Sequence, residues 1–193
     1  MNLFLLSLKR GKNAKAHCNR HVIKMILELA QMLWTAVYEG GADMTKFKIK
    51  PYRKTHVYHP TSIWVRESPK NWAYTVDFAL RLCKEYTRRY KKVHGCELHL
   101  RYLKRLGYYP PLQKREITGL RGELGNGCTP FPIAIKEELR DECVVYIDNK
   151  VDPVASYRKY YEWKREEWRK KGRDMSWKPK DVKVKVTMIE DID

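Results

Sequence analysis

The stretch AKAHCNRHVIKMILELAQMLWTAVY, residues 14–38, decides the fold. On a helical wheel, at about 100° per residue, His17, His21, Lys24, Glu28, Gln31 and Thr35 fall within an arc of roughly 80°. Val22, Ile23, Met25, Ile26, Leu29, Ala30, Met32 and Leu33 fill the rest. An ordinary surface helix carries a broad polar face and a narrower apolar one. This one is inverted, so the spacing predicts a largely buried helix with a thin ionisable stripe. Buried charge is costly unless paired. The stripe therefore either forms an internal Lys24–Glu28 pair at i,i+4 beside core histidines, or lines a cleft.

Working outward, residues 2–8 (NLFLLSL) read as a short apolar strand or buried lead-in, and Gly40-Gly41 as the helix stop. Residues 42–68 look irregular, broken by Pro51 and Pro60. Basic and aromatic residues alternate there, from Lys46 and Phe47 to Lys54 and Tyr58, a mixture suited to phosphates and bases. His56 and His59 followed by Arg66 and Glu67 form a second cluster able to carry chemistry or bind nucleic acid. Ser68-Pro69 is an N-cap with Pro at N1, predicting a helix to about His94, whose outer face carries Arg81, Lys84 and Arg88. A shorter helix is expected over 96–106, a long loop over 112–133, a short helix over 134–143 and a short apolar segment over 144–147. Asp152-Pro153 starts a basic helix that includes Arg158 and ends at Gly172, with Tyr157, Tyr161 and Trp168 on one side. Residues 181–188 alternate with period two, as an edge strand or a partner-binding arm would. The expected architecture is mainly α: a single-domain helical bundle over 1–175 with long central helices and long irregular loops. An extended tail, 176–193, leaves room for a short C-terminal strand.

The 193 residues carry 40 Lys and Arg against 23 Asp and Glu, a formal charge of +17. That excess implies a polyanionic partner, nucleic acid before an anionic membrane surface. No apolar run is long enough to span a bilayer, and in MNLFLLSLKR the basic residues follow the apolar run, unlike a signal peptide. The expected location is intracellular, in the host cytoplasm. Five scattered cysteines without a CxxC pair argue for reduced thiols. Walker, GxGxxG, HExxH and GxSxG motifs are absent, and no cofactor is expected. His17 and His21 form an HxxxH pair, but the Lys24 ammonium on the same stripe repels a cation, so no metal is expected.

A desolvated lysine has a lowered pKa and serves as a Schiff-base nucleophile, and a carboxylate one turn away shuttles its proton. Lys24 and Glu28 match those roles, with His17 and His21 as acid–base neighbours. His56, His59, Arg66, Lys54, Arg88 and Arg158 are the expected DNA contacts. The chemistry pointed to is base excision or abasic-site lysis on an unstacked nucleotide. The alternatives are a DNA base-modifying transferase and a non-catalytic DNA-binding protein.

The segments AHCNRHVIKMILELAQML, HVYHPTSIWVRESPKNW, CKEYTRRYKKVH and SYRKYYEWK resemble a family of small basic proteins encoded by bacteriophages and large DNA viruses. More distantly, the MNLF start, the His-bearing first helix and the segment from Tyr52 to Pro60 resemble the pyrimidine-dimer DNA glycosylases. Those enzymes are small, basic and all-helical. The resemblance implies an N-terminal amine as nucleophile and a carboxylate on the first long helix. Here residue 2 is Asn, a side chain before which the initiator Met is poorly removed, so Lys24 is the amine expected in its place and Glu28 the carboxylate.

Overall fold

A computed structural model describes residues 2–173 and 175–177. The inverted helix is two helices, α1 (Arg10–Ala16) and α2 (Asn19–Glu39), broken where His17 and Cys18 turn extended. The break exposes carbonyls that a continuous helix would use. The Arg89 guanidinium donates to the carbonyls of His17 and Lys15, both at 2.9 Å, and Trp177 Nε1 donates to that of Ala16 at 2.7 Å. Both donor residues are remote in sequence.

α2 is the axis of the fold. Val22, Ile26, Leu29, Ala30, Leu33 and Val37 are buried on it, and a fully buried Leu contributes about 1.5–3 kcal/mol. Helices α3 (Pro60–Glu67), α4 (Pro69–Tyr90) and α5 (Glu97–Leu106) cover it, and α1 lies on α4. The region read as irregular thus contains α3. Pro60 sits at N1, where proline starts a helix instead of breaking one, and the His59 ring caps it by accepting from Thr61 N–H. Ser68 caps α4 as expected. That helix stops four residues before His94, because Lys91 is left-handed at φ 56°.

The loop from 107 to 136 contains one antiparallel bridge, β1 (Arg121–Gly122) with β2 (Phe131–Pro132). A short helix, α6 (Arg140–Cys143), follows. The apolar segment after it is the first arm of a hairpin, β3 (Val145–Ile147) with β4 (Lys150–Asp152). Its central residues Asp148 and Asn149 are both at positive φ, as a type I′ turn needs. Gly122 meets this hairpin so closely that a Cβ there would lie 2.5 Å from the Val151 carbonyl oxygen. Asp152 then caps α7 (Pro153–Lys170).

Residues 2–8 form no strand. Leu3, Phe4, Leu5 and Leu6 are buried, and side chains satisfy backbone groups that a sheet would otherwise pair. Asn13 accepts from Leu6 N–H and donates to the Phe4 carbonyl, while Arg158 Nε donates to the Leu6 carbonyl at 2.9 Å. Tyr157 Oη donates to Asn2 Oδ1. The molecule is a mainly α single domain, as the sequence predicts. Met175 is buried and Ser176 accepts from Asn19 N–H, so the packed body runs past 175. The period-two segment 181–188 lies outside the described residues. No helix among them is long and apolar enough to cross a membrane.

Candidate active site

The ionisable stripe divides into three parts with different surroundings. At its start, His17 and His21 are core residues. His17 Nδ1 lies 2.7 Å from the Asn13 carbonyl, so Nδ1 carries the hydrogen and donates it. Nε2 then has no partner among the described residues. Burial pushes the His17 pKa down to about 4. His21 stacks on Phe4 at 4.7 Å, meets Trp168 edge-on and hydrogen-bonds Tyr161 Oη. Burial, then the charges of His17, Lys164 and Lys24, bring it to about 3. Both rings are neutral and enclosed. They correct the expectation of acid–base neighbours, because a ring without access to solvent cannot exchange a proton with a substrate. At the far end, Thr35 ties α2 to Thr55 through two hydrogen bonds.

The middle of the stripe is where charge collects. Glu28 accepts from Asn2 N–H at 2.9 Å through one oxygen and pairs with Lys24 Nζ at 3.1 Å through the other. The Glu28 side chain is 9% exposed and that of Lys24 is 66% exposed, so the carboxylate lies below the surface with the lysine at its rim. The expectation that Lys24 is desolvated does not hold. It sits on the outer side of α2 with the exposed Ile23 and Leu27.

The desolvated amine is Lys164. It reaches in from α7, with Nζ 4.5 Å from the Tyr160 ring centroid and 5.8 Å from that of Phe4. Burial lowers its pKa, and Lys24 and Lys136 lower it further, with Glu28 opposing. His59 completes the group. Burial brings it to about 4, with the charge of His56 acting the same way and that of Glu28 the opposite way. Asn2 and Lys24 thus contact this carboxylate directly, and its charge acts on His59 at the cap of α3 and on Lys164 of α7. Sequence reasoning missed Lys164, although a signal existed. Tyr157, Tyr161, Lys164 and Trp168 follow at steps of four, three and four, which places a lysine on the buried stripe of α7.

The expected DNA contacts separate by surroundings. Arg66 is 1% exposed and donates to the carbonyls of Ser62 and Val57, holding the 51–59 segment against α3. That removes it from any surface role and corrects its assignment. Lys54 and Arg88 reach solvent while paired with Glu39 and Glu85, and His56 is exposed beside Thr55 Oγ1. Arg158 is half-buried on the Leu6 carbonyl. Glu67, read with Arg66, pairs instead with Arg121 in a two-point contact at 3.0 and 2.7 Å, and also accepts from Thr129 Oγ1. Among the described residues no three His, Cys, Asp or Glu side chains gather as metal ligands would. Comparison with protein-family models, with curated proteins and with solved structures gives no match.

Proposed function

We propose that the protein acts on DNA as a base-excision enzyme or abasic-site lyase, with Glu28 as its carboxylate and a lysine beside it as the nucleophile. The observation that carries this reading is a nearly buried carboxylate, Glu28, paired with one exposed lysine and acting through its charge on a second, desolvated one. A depressed amine pKa leaves more of Lys164 unprotonated at neutral pH, which is what attack on carbon requires. In the proposed reaction Lys164 Nζ adds to C1′ of the opened abasic sugar, and water leaves to give a protonated imine. Glu28 takes the proton from C2′, and the electron pair released expels the 3′ phosphate. Water then hydrolyses the imine and frees the lysine. Lys24, at the rim, contacts the phosphate. The distant sequence likeness to pyrimidine-dimer DNA glycosylases supports the same reading. So does the charge of +17.

Borohydride reduction in the presence of an abasic oligonucleotide tests it. The wild-type protein is expected to give a covalent adduct, and mass spectrometry of its peptides identifies the amine. Lys164→Ala should reduce trapping at least tenfold, and Lys24→Ala by less. Glu28→Gln should retain the adduct while strand cleavage falls on the order of 100-fold, because the imine forms but its proton stays. Absence of any adduct with the wild-type protein removes the mechanism. A second reading, a DNA-binding protein without catalysis, is favoured by the bond from Asn2 N–H to Glu28, which by itself would account for the carboxylate as an anchor of the segment before α1. Salt-sensitive DNA binding without turnover would select it.

A further inference from the structure

Beyond the Glu28 cluster, the segment after Leu6 opens onto a second charged feature. Residues 8–11, the first turns of α4 and the loop at 126–128 enclose a cavity of about 700 Å³. Lys9, Arg10, Lys70 and Arg81 line it, against one carboxylate, Asp77. Asp77 Oδ2 holds Arg10 Nε at 2.6 Å and Arg81 Nε at 2.9 Å. Each guanidinium has five N–H donors, so this pairing fixes the two planes while leaving most of their donors unused by Asp77. Both side chains remain solvent-facing. Arg81 packs across Gly11, where a Cβ would lie 3.4 Å from one of its terminal nitrogens. Arg10 also lies over the Tyr74 ring at 5.5 Å, and the buried Tyr74 hydroxyl has no hydrogen-bond partner among the described residues. Lys9 and Lys70 are exposed and have no acidic partner there either. A held pair of arginines with two lysines that have no acidic partner among the described residues, on one concave wall, matches a phosphate group, whose oxygens accept several charge-assisted hydrogen bonds at once.

We propose that the groove between α1 and α4 is a phosphate-binding subsite. The phosphate belongs to the backbone of the same DNA strand that reacts at Glu28, or to a free phosphomonoester. The first source rests on the function proposed above. The six residue steps from Asn2 to Leu8 bound the distance between these two residues at roughly 20 Å. Leu8 and Lys9 also border a neighbouring cavity of about 570 Å³, where Lys12, Lys150 and Arg158 stand with Glu123 and Asp152.

Full-length wild-type protein and the double variant Lys9→Gln/Lys70→Gln are compared. Both lysines are exposed, and such surface substitutions leave stability nearly unchanged. Binding of a 20-base-pair duplex is followed by fluorescence anisotropy from 50 to 200 mM salt. Binding of deoxyadenosine monophosphate and of inorganic phosphate is followed by calorimetry. If the phosphate comes from DNA, the double variant binds the duplex about tenfold more weakly at low salt, and its log–log salt slope is shallower by about two. If it is a free phosphomonoester, the variant loses nucleotide binding and keeps the DNA slope. An unchanged slope together with unchanged or absent nucleotide binding overturns the subsite. A wild-type protein that binds the nucleotide in the groove but not DNA would uphold the subsite and defeat the proposed DNA chemistry.

Discussion

At the residue scale, one depth gradient explains the stripe. His17 and His21 are sealed in the core, Glu28 lies just under the surface and Lys24 lies above it. The sealed histidines make a pH prediction. Between pH 6.5 and about 4 the unfolded chain binds a proton at His17 that the folded chain refuses, so the unfolded state holds more protons and stability rises with pH. Acidification through that window therefore costs stability, on the order of 3 kcal/mol for His17, and the loss continues to about pH 3 through His21. His17→Gln keeps a donor for the Asn13 carbonyl and cannot titrate. Urea unfolding from pH 7 to pH 4 should show a shallower fall for this variant than for wild type. Equal falls would mean that His17 does not resist protonation. The periodicity showed which residues share the stripe but not their depth, because depth is set by what packs on top: Phe4, Tyr161 and Trp168 over the histidines, solvent over Lys24. The same limit hid Lys164, which lies against the Phe4 ring from the opposite end of the fold as well as its own neighbour Tyr160.

At the scale of elements, local chemistry was readable where a cap announces a helix. Ser68-Pro69 and Asp152-Pro153 each place a side-chain acceptor and a proline that needs no donor, and α4 and α7 begin there. The break between α1 and α2 was not readable, since the sequence around His17 and Cys18 has neither Gly nor Pro. What stabilises it comes from α4. Burial pushes the Glu85 carboxyl up, and hydrogen bonds from Arg88 and Arg89 more than reverse this, leaving it below the usual carboxylate range. Arg89, held by Glu85 at 2.6 Å, caps the carbonyls of α1 and also donates to Asn19 Oδ1. Arg89→Ala leaves those acceptors unpaired in the interior and should destabilise the fold by about 3 kcal/mol, read from the urea midpoint. Arg88→Ala removes an exposed partner of the same carboxylate and should cost below about 1 kcal/mol. Similar losses for the two would contradict the capping role of Arg89.

At the scale of the whole molecule, composition foretold a basic, helical, single-domain chain, and the spacing of apolar residues placed most of its helices. It could not foretell that the two ends of the fold share a core. Tyr157 and Arg158 of α7 bond the backbone and side chains of residues 2–6, and Tyr157 Oη also bonds Ala134 N–H. α7 is therefore expected to be inseparable from the rest. A chain ending at residue 152 should lose its cooperative thermal transition and bind a hydrophobic dye, whereas a peripheral helix could be removed with the transition intact. Near-ultraviolet circular dichroism during heating distinguishes the two.

The same closure imposes an order on synthesis. Asn2 and Tyr157 are 155 residues apart. At about 5–20 residues per second the ribosome takes roughly 8–30 seconds to make the distance between them. Over the later part of that interval Leu3, Phe4, Leu5 and Leu6 are already made while the helix that covers them has yet to be completed. Residues 3–6 of each nascent chain are thus an apolar segment awaiting its partner, and this short segment is where a ribosome-bound chaperone would be expected to hold it.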